Sequence, residues 1–203
     1  MIDALSAAAD MTVSRETAER LSLYADLLKE EAARQNLVAA STLDQLWERH
    51  ILDSAQLARF NPASGAKWID IGSGAGLPGI VLACLLGGHV TLVEPRRLRV
   101  EFLRRVVDRL GLNITVEPLK AERVSGQFGV ITGRAVASLS HFFEMCDHLS
   151  TRKTVWVLPK GRSAQSELEE AQYSWQGVFH VEQSVTDPDA KIVVGTGVRA
   201  KRS

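Results

Sequence analysis

The sequence contains little cysteine. Cys84 and Cys146 are the only two in 203 residues, and 62 positions separate them. No Cys-x-x-Cys pair and no Cys/His cluster is present, so neither a zinc site nor a disulfide framework is indicated. Two small apolar residues buried in a protein of the reducing cytosol explain both cysteines more simply.

An excess of charge of either sign is also missing. Lys and Arg together number 24, and so do Asp and Glu. A protein that coats nucleic acid without specificity should be strongly basic, so any contact with nucleic acid must come from a local patch. Two basic runs, 96–109 and 191–203, suggest one positive side, although each alone also fits a solvated face.

No long hydrophobic run interrupts the chain. Residues 71–93 carry no formally charged side chain, but they include six glycines and Pro78, and no helix-length apolar segment. The N-terminus lacks the basic region and apolar core of a signal peptide. We therefore expect no membrane association and a cytoplasmic location, and we expect a monomer. A composition of 45% hydrophobic and 24% charged residues is typical of a globular chain and excludes disorder.

The chain begins with helical patterns. Ser14 is placed to cap a helix that runs to about Arg34. The segment 41–44 resembles a capping box that opens a second helix with Leu46, Trp47, Ile51 and Leu57 on its apolar side, and this helix ends at Asn61-Pro62. We treat residues 1–62 as an N-terminal helical extension that packs on the core.

Strands and helices alternate after residue 62. Strands are predicted at 67–71, 90–94, 114–117, 128–132, 155–158, 178–185 and 191–198, with helices at 77–86, 96–110, 139–149 and 164–173. In the second of these helices, the predicted apolar face is Leu98, Phe102, Val106 and Leu110. Because crossover connections are right-handed, the pattern predicts an α/β fold with a doubly wound, seven-stranded, mostly parallel sheet that ends in an antiparallel hairpin. Residues 63–203 form its single compact unit.

The most informative segment is the glycine-rich stretch from Asp70 to Gly79. It follows a predicted strand and opens a helix, where glycines let the backbone turn tightly and helix N–H groups are free to bind a ligand. Residues 74–79 fit G-x-G-x-x-G, and Glu94 lies 20 positions after Gly74, as in dinucleotide-binding proteins. The alternative is that this glycine-rich segment is a purely structural turn that binds no ligand.

A second interpretation starts from the acid. Asp70, Gly72, Gly74 and Gly76 follow the spacing Asp-x-Gly-x-Gly-x-Gly, which resembles the first motif of class I S-adenosylmethionine-dependent methyltransferases. An acid at this point would repel a pyrophosphate, but it can serve the methionine part of S-adenosylmethionine directly or through water. A carboxylate such as Glu94 suits a ribose diol in either interpretation, because it accepts two hydroxyl hydrogen bonds.

Several further motifs occur in a characteristic order over residues 14–199. They are Asn36-Leu37, Arg49-His50-Ile51-Leu52-Asp53-Ser54, the glycine loop with Leu77-Pro78-Gly79, Ala121-Glu122, Arg134-Ala135-Val136-Ala137 and Pro159-Lys160-Gly161. Together they resemble the ribosomal small-subunit methyltransferase G family, also called glucose-inhibited division protein B. The sequence departs from the family pattern at Val38, Lys120 and Gly133, and Gly133 is expected to loosen the loop that holds Arg134.

The resemblance implies transfer of a methyl group from S-adenosylmethionine to N7 of a guanine in 16S ribosomal RNA, free or within the small ribosomal subunit. It implies cofactor contacts from Gly72, Leu77, Ala121, Glu122 and Arg134. The glycine loop and the following strand add Gly74, Gly76 and Glu94. We assign no catalytic residue and no metal ligand, because guanine N7 carries no proton and its alkylation needs no general base.

Two motif residues have two interpretations each. We favour His50 as a structural histidine bonded to Asp53 or to the backbone over a direct RNA contact. Arg49 fits an ion pair with Glu48 as well as it fits a phosphate contact.

Other functions stay open at this point. An NAD-dependent oxidoreductase fits the glycines but leaves few residues for a substrate domain. A small-molecule methyltransferase and a non-enzymatic RNA-binding module on the same fold are further alternatives.

Overall fold

A computed structural model describes residues 1–201. Its centre is a seven-stranded sheet with the order β3-β2-β1-β4-β5-β7-β6. The first five strands are parallel, and β7 pairs antiparallel with both β5 and β6. The predicted doubly wound, mostly parallel sheet with a closing hairpin is confirmed. The strands are β1 (Trp68–Ile71), β2 (Val90–Val93), β3 (Ile114–Glu117), β4 (Val130–Thr132), β5 (Val155–Lys160), β6 (Trp175–Gln183) and β7 (Lys191–Ala200).

Helices cover both faces of the sheet. They are α1 (Ile2–Ala9), α2 (Arg15–Ala32), α3 (Asp53–Ala55), α4 (Gly79–Leu86), α5 (Arg97–Leu110), α6 (Leu139–Cys146) and α7 (Ala164–Ser174). Shorter 3₁₀ turns lie at Ala40–Gln45, Gln56–Phe60, Ala121–Arg123 and Asp147–Leu149, and a π-helical turn lies at Trp47–Leu52.

Successive residues of the central strands enter two different cores. Trp68 packs with the N-terminal helices, α4 and α5, whereas Ile69 packs on the other face with α6 and α7. This alternation follows from the two-residue period of a strand, and it explains why the central strands read as continuous apolar runs. Cys84 lies buried in the first core and Cys146 in the second. Burial raises the pKa of each thiol to about 12.

The N-terminal helices share a core with the sheet. Leu5 and Leu21 are fully buried in the same apolar cluster as Leu82 and Leu103. The hydroxyl of Tyr24 donates to the carbonyl of Ala75 at 2.9 Å and so joins α2 to the glycine loop. The division of the chain at residue 62 stays a prediction.

The second predicted helix is irregular. A 3₁₀ turn, a π-helical turn, the short α3 and another 3₁₀ turn replace a continuous α-helix over residues 40–60. The predicted capping box is wrong, since Ala39 precedes the first turn without a side-chain cap. The hydroxyl of Thr42 instead donates back to the carbonyl of Ala39 at 2.7 Å, a local bond that competes with helix capping. Helix α1 lay outside the sequence prediction.

Leu98 corrects the predicted apolar face of α5. Its surface is 56% exposed, whereas Phe102, Val106 and Leu110 are buried. A spacing of four residues advances roughly 400° around a helix, so each step drifts about 40° from a straight stripe. Over the three steps from Leu110 back to Leu98, this drift turns Leu98 away from the core. Val100 and Leu103 complete the buried face instead.

The first bases of one basic run and the last bases of the other lie at opposite ends of the parallel strands. Arg96 and Arg97 follow the carboxyl end of β2, beside the glycine loop. Strand β7 runs antiparallel, with Lys191 opposite Lys160 and Thr196 opposite Val155. Its last residues, and the bases that follow, therefore lie at the amino ends of the parallel strands. Both runs extend between the two ends of the strands, so the predicted single positive side stays a prediction. Arg202, which was part of it, lies outside the described residues.

Candidate active site

The glycine loop leaves the carboxyl end of β1. Gly72, Gly74 and Gly76 have positive φ angles of 67°, 56° and 95°, which residues with a Cβ atom rarely adopt. Ser73 ties the loop to the neighbouring strand: its backbone N–H donates to the carbonyl of Val93 at 3.0 Å, and its hydroxyl accepts from the N–H of Val93 at 3.1 Å. The loop is therefore held in a shape that only glycines readily permit.

Glu94 holds the loop from the end of β2. Its side chain is almost fully buried, with Oε2 accepting from the N–H of Gly74 at 3.0 Å and Oε1 from the N–H of Arg96 at 2.9 Å. The guanidinium of Arg99 lies 3.6 Å from Oε2. Each carboxylate oxygen has about two acceptor sites, so Glu94 can still accept hydrogen bonds from a ligand.

A cavity of about 550 Å³ opens at this edge of the sheet. Seven of the eight predicted site residues line it: Gly72, Gly74, Leu77, Glu94, Ala121, Glu122 and Arg134. Gly76 does not line the cavity. A Cβ atom on it would lie 2.3 Å from Cδ1 of Ile80 and 3.0 Å from Cδ2 of Leu103, so this glycine is required by packing beneath the loop.

The apolar residues of the cavity wall that the predicted site did not include are partly from distant segments, among them Leu37, Leu119 and Met145. Leu37 comes from the segment after α2. There Arg99 donates to the carbonyl of Asn36 at 3.3 Å and Gln35 donates to the carbonyl of Leu98 at 3.1 Å. The pair Asn36-Leu37 was a usable signal, since it belongs to the family motifs.

Arg134 lies at the centre of a polar network. Its Nη1 is 3.2 Å from Nδ1 of His50 and 3.6 Å from Oδ2 of Asp53. A guanidinium can only donate, so His50 Nδ1 accepts, and the imidazole proton resides on Nε2, which donates to the hydroxyl of Thr42 at 2.8 Å. Burial, together with the charges of Arg134 and Arg49, lowers the pKa of His50 to about 4.

This network corrects the expected partners of two motif residues. His50 bonds Thr42 and Arg134 instead of Asp53 or the backbone, and its structural role in place of a direct RNA contact stays a prediction. Arg49 forms its ion pair with Asp187 at 3.3 Å and not with Glu48.

Asp70 is enclosed beneath the loop. It is fully buried, and its Oδ2 accepts from the N–H of Gly79 at 3.1 Å at the start of α4. Its Oδ1 has no hydrogen-bond partner within residues 1–201. Burial raises the pKa of Asp70 to about 7. The carboxylate does not line the cavity, so the observed role of Asp70 is to support the loop.

A model of the family described as rRNA small subunit methyltransferase G matches residues 17–192. This chain belongs to that family. Relatives that carry the name Ribosomal RNA small subunit methyltransferase G are similar over most of their length. The one from Zymomonas mobilis is 45% identical over 94% of this chain and 90% of its own, and the one from Novosphingobium aromaticivorans is 47% identical over 90% and 82%.

Solved structures with low sequence identity share the fold of this rRNA small subunit methyltransferase G family member. A SAM-dependent methyltransferase from Aquifex aeolicus is 16% identical and covers 75% of this chain and 93% of its own, with a TM-score of 0.60. M. jannaschii TYW2, solved in complex with AdoMet, is 12% identical and covers 83% of this chain and 80% of its own, with a TM-score of 0.58. The predicted family, class I methyltransferase fold, methyltransferase activity and dependence on S-adenosylmethionine are confirmed.

The residues present in this family member fit S-adenosylmethionine. A volume of about 550 Å³ is within the range of small-molecule sites, roughly 300–1,000 Å³. A Cβ on Gly74 would meet only the Arg99 guanidinium at 3.5 Å and the Gly72 carbonyl at 3.7 Å, so the loop leaves room for a ligand. Glu94 offers acceptors for hydroxyls, while Leu37 and Met145 offer apolar surface.

The departure at Gly133 does not loosen the loop. A Cβ there would lie 2.7 Å from Cε2 of Phe142 and 2.8 Å from the carbonyl oxygen of Ile71, so the glycine allows close packing. Ala135, two residues later, has a φ of 55°, a strained value for alanine.

Within residues 1–201, no helix is both long and apolar enough to cross a membrane. No group of three or more His, Cys, Asp or Glu side chains in these residues is arranged to hold a metal ion.

Proposed function

We propose that this chain transfers the methyl group of S-adenosylmethionine to N7 of a guanine in 16S ribosomal RNA. The observation that carries the proposal is the glycine loop clamped by Glu94 at the mouth of a ligand-sized cavity, in a chain of the rRNA small subunit methyltransferase G family. No second nucleotide-binding half accompanies the loop in residues 1–201, which supports methyl transfer over an NAD-dependent reaction.

Each part of the cavity receives a proposed part of the cofactor. Glu94 accepts hydrogen bonds from the ribose hydroxyls. The loop from Gly72 to Leu77 approaches the cofactor through its backbone, and Gly76 contributes by holding the shape of this loop. The turn at Ala121 and Glu122, beside β3, closes over the adenine.

Arg134 positions the cofactor with its forked guanidinium. Its pairing with Asp53 and His50 fixes the fork at the mouth of the cavity. A group that stays protonated cannot act as a base, so its contribution is orientation.

The chemistry requires alignment more than acid–base catalysis. S-adenosylmethionine, when bound, supplies an electrophilic methyl group on sulfur. Guanine N7 has a free lone pair and no proton to lose, so the chain needs no general base at this point. Correct alignment of the reacting atoms is worth up to roughly 7–11 kcal/mol. Rigid loops held by Ser73 and Glu94 are suited to that task.

The proposal also covers the form of the RNA substrate and the location and oligomeric state of the enzyme. We propose a cytoplasmic monomer that acts on 16S ribosomal RNA within the small ribosomal subunit. Residues 1–62 form its helical extension and residues 63–203 its cofactor-binding unit.

Transfer of radiolabelled methyl groups tests the proposal. Purified protein is incubated with small-subunit particles or with free 16S RNA, and the labelled base is mapped. We expect label on N7 of one guanine, with particles the better substrate. Label on another atom, or none on either RNA, contradicts the proposed reaction. Titration with NAD in place of S-adenosylmethionine serves as the control for the cofactor.

A further inference from the structure

A second cavity of about 570 Å³ lies beside the cofactor cavity. The two share the residues that follow β4, Arg134, Ala135 and Val136. Val136 is 37% exposed, and its Cγ2 would lie 2.9 Å from a Cβ on Gly72, so this side chain stands between the loop and the second cavity. A molecule in the second cavity would therefore lie next to a cofactor in the first.

One side of the second cavity carries a partly buried ion pair. Lys160 Nζ lies 2.8 Å from Oε2 of Glu167 and donates to the carbonyl of Ala137 at 2.6 Å. An ammonium has three N–H donors, so one remains for a ligand. Glu167 also accepts from Ser163 and from the N–H of Leu139, and these bonds, with Lys160, lower its pKa. The carboxylate of Glu167 is thus already occupied.

Asp53 is the other carboxylate of this cavity, and within residues 1–201 only one of its oxygens accepts hydrogen bonds. Oδ1 accepts from Gln56 Nε2 at 2.9 Å and from the hydroxyl of Thr186 at 2.8 Å. Oδ2 accepts no hydrogen bond within residues 1–201; the guanidinium of Arg134 lies 3.6 Å away. Asp53, with one carboxylate oxygen that keeps free acceptor sites, therefore lines the space next to the cofactor.

We propose that the second cavity receives the target guanine, turned out of the RNA, and that Oδ2 of Asp53 accepts hydrogen bonds from its N1–H and 2-amino groups. The inference rests on the proposed function and assigns base specificity to a residue outside the cofactor contacts. An enzyme that modifies a base must extrude it when it is stacked, and the extruded base is read by its Watson–Crick edge.

The polar groups match guanine better than adenine. Guanine presents an acceptor, O6, beside two donors, N1–H and the 2-amino group. Adenine presents the reverse, a 6-amino donor beside the N1 acceptor. The free oxygen of Asp53 suits the donors of guanine and would repel adenine N1, while the remaining N–H of Lys160 suits O6. Glu167 balances the ammonium, so the positive charge gained by N7 meets no unpaired lysine.

Replacement of Asp53 by asparagine reverses this recognition. Gln56 and Thr186 both donate to the inner oxygen, so they favour the asparagine rotamer with its carbonyl oxygen inward. The amide NH₂ then points outward and presents donors to the donors of guanine. Asp53→Asn therefore changes the sign of the interaction at nearly constant volume.

The test compares guanosine with inosine at the mapped target position of the same RNA. Inosine keeps N7, O6 and N1–H but lacks the 2-amino group. Initial methylation rates are measured for wild type, Asp53→Asn and the matched control Asp189→Asn. The exposed side chain of Asp189 lies in the β6–β7 turn, which also carries Thr186, and pairs with Arg162. A hydrogen bond to a charged group predicts a wild-type preference for guanosine of roughly 10- to 100-fold.

We expect this preference to fall towards unity in Asp53→Asn and to stay unchanged in Asp189→Asn. A wild-type preference near unity overturns the inference, and so does a preference that Asp53→Asn retains. Asp53→Asn also weakens the pair with Arg134, but this slows the methylation of both RNAs alike and therefore cancels in the ratio of the two rates. If Asp53→Asn is inactive, the ratio of the two RNA dissociation constants with S-adenosylhomocysteine replaces the rate ratio. Failure of wild type to methylate any guanosine would instead contradict the proposed function.

Discussion

Alanine at two glycines of one loop should have two different effects. Gly74 and Gly76 both have positive φ angles, but Gly74 borders the cofactor cavity whereas Gly76 faces the core. We expect Gly74→Ala to weaken cofactor binding with a small loss of stability. We expect Gly76→Ala to lose stability with little change in the affinity of the folded protein.

The magnitudes follow from the surroundings of each glycine. At Gly74, a Cβ meets no atom closer than 3.5 Å, so no steric overlap is added. The cost of Gly74→Ala is then the left-handed conformation of alanine, about 1–2 kcal/mol. At Gly76, the same strain adds to overlap with Ile80, whose Cδ1 would lie 2.3 Å from the new atom. Ile80 is fully buried in the core, so overpacking adds about 1–3 kcal/mol. The total for Gly76→Ala is about 2–5 kcal/mol.

Urea unfolding and calorimetric titration with S-adenosylmethionine measure the two effects. Titrations are run well below the melting temperature of each variant, so that only folded protein is compared. The new methyl group of Gly74→Ala enters ligand space, and we expect at least a roughly tenfold loss of affinity, or about 1.4 kcal/mol. Wild-type affinity in Gly74→Ala, or wild-type stability in Gly76→Ala, would refute the division of roles.

Three further predictions concern charged and titratable groups. Arg134→Lys keeps the charge but loses the forked guanidinium, so the rate of single-turnover methyl transfer should fall well below wild type while the melting temperature changes little. If activity is lost only in proportion to the loss of folded protein, Arg134 has a structural role. Because the folded-state pKa of His50 is about 4, below its usual 6.5, its contribution to stability is complete above pH 6.5 and is lost as the pH falls towards 4. The pH dependence of unfolding free energy for wild type minus His50→Gln should show this slope, and a flat difference curve would contradict it. Arg96→Gln and Arg97→Gln should each reduce the slope of log RNA affinity against log salt by about 0.7–0.9. Arg199→Gln, at the opposite end of the strands, should leave this slope unchanged. Equal effects of all three variants would contradict RNA binding at the end of the sheet that carries the glycine loop.

Local signals determined most of the fold and the cofactor side of the site. Alternating apolar runs and turn residues identified seven strands within a few residues of their observed ends, because strand and helix periodicities are set by near neighbours. The spacing from Asp70 through the glycines to Glu94 placed the loop at a strand end for the same reason. The family motifs added Ala121, Glu122 and Arg134, and all three line the cavity.

Packing decided which features of a matching motif face a ligand. Gly76 fits the fingerprint as well as Gly74 does, but Ile80 and Leu103 fill the space beside it. Leu98 fits a four-residue repeat, yet the helix turns it into solvent. A repeat or a motif records residue types, and the direction in which a residue points depends on the elements packed around it.

The pairing of β7 with β5 and the other long-range contacts came from the tertiary structure alone. The antiparallel course of β7 placed its basic end far from the glycine loop, although the sequence made both runs look alike. His50 and Arg134 are 84 positions apart, and Asp53 is 133 positions from Thr186. A hydrogen bond between residues so distant depends on how strands and loops are paired in space. For this reason the sequence by itself determined the cofactor loop, and only the folded chain placed Asp53 at the wall of the neighbouring cavity, with one oxygen that accepts no hydrogen bond within residues 1–201.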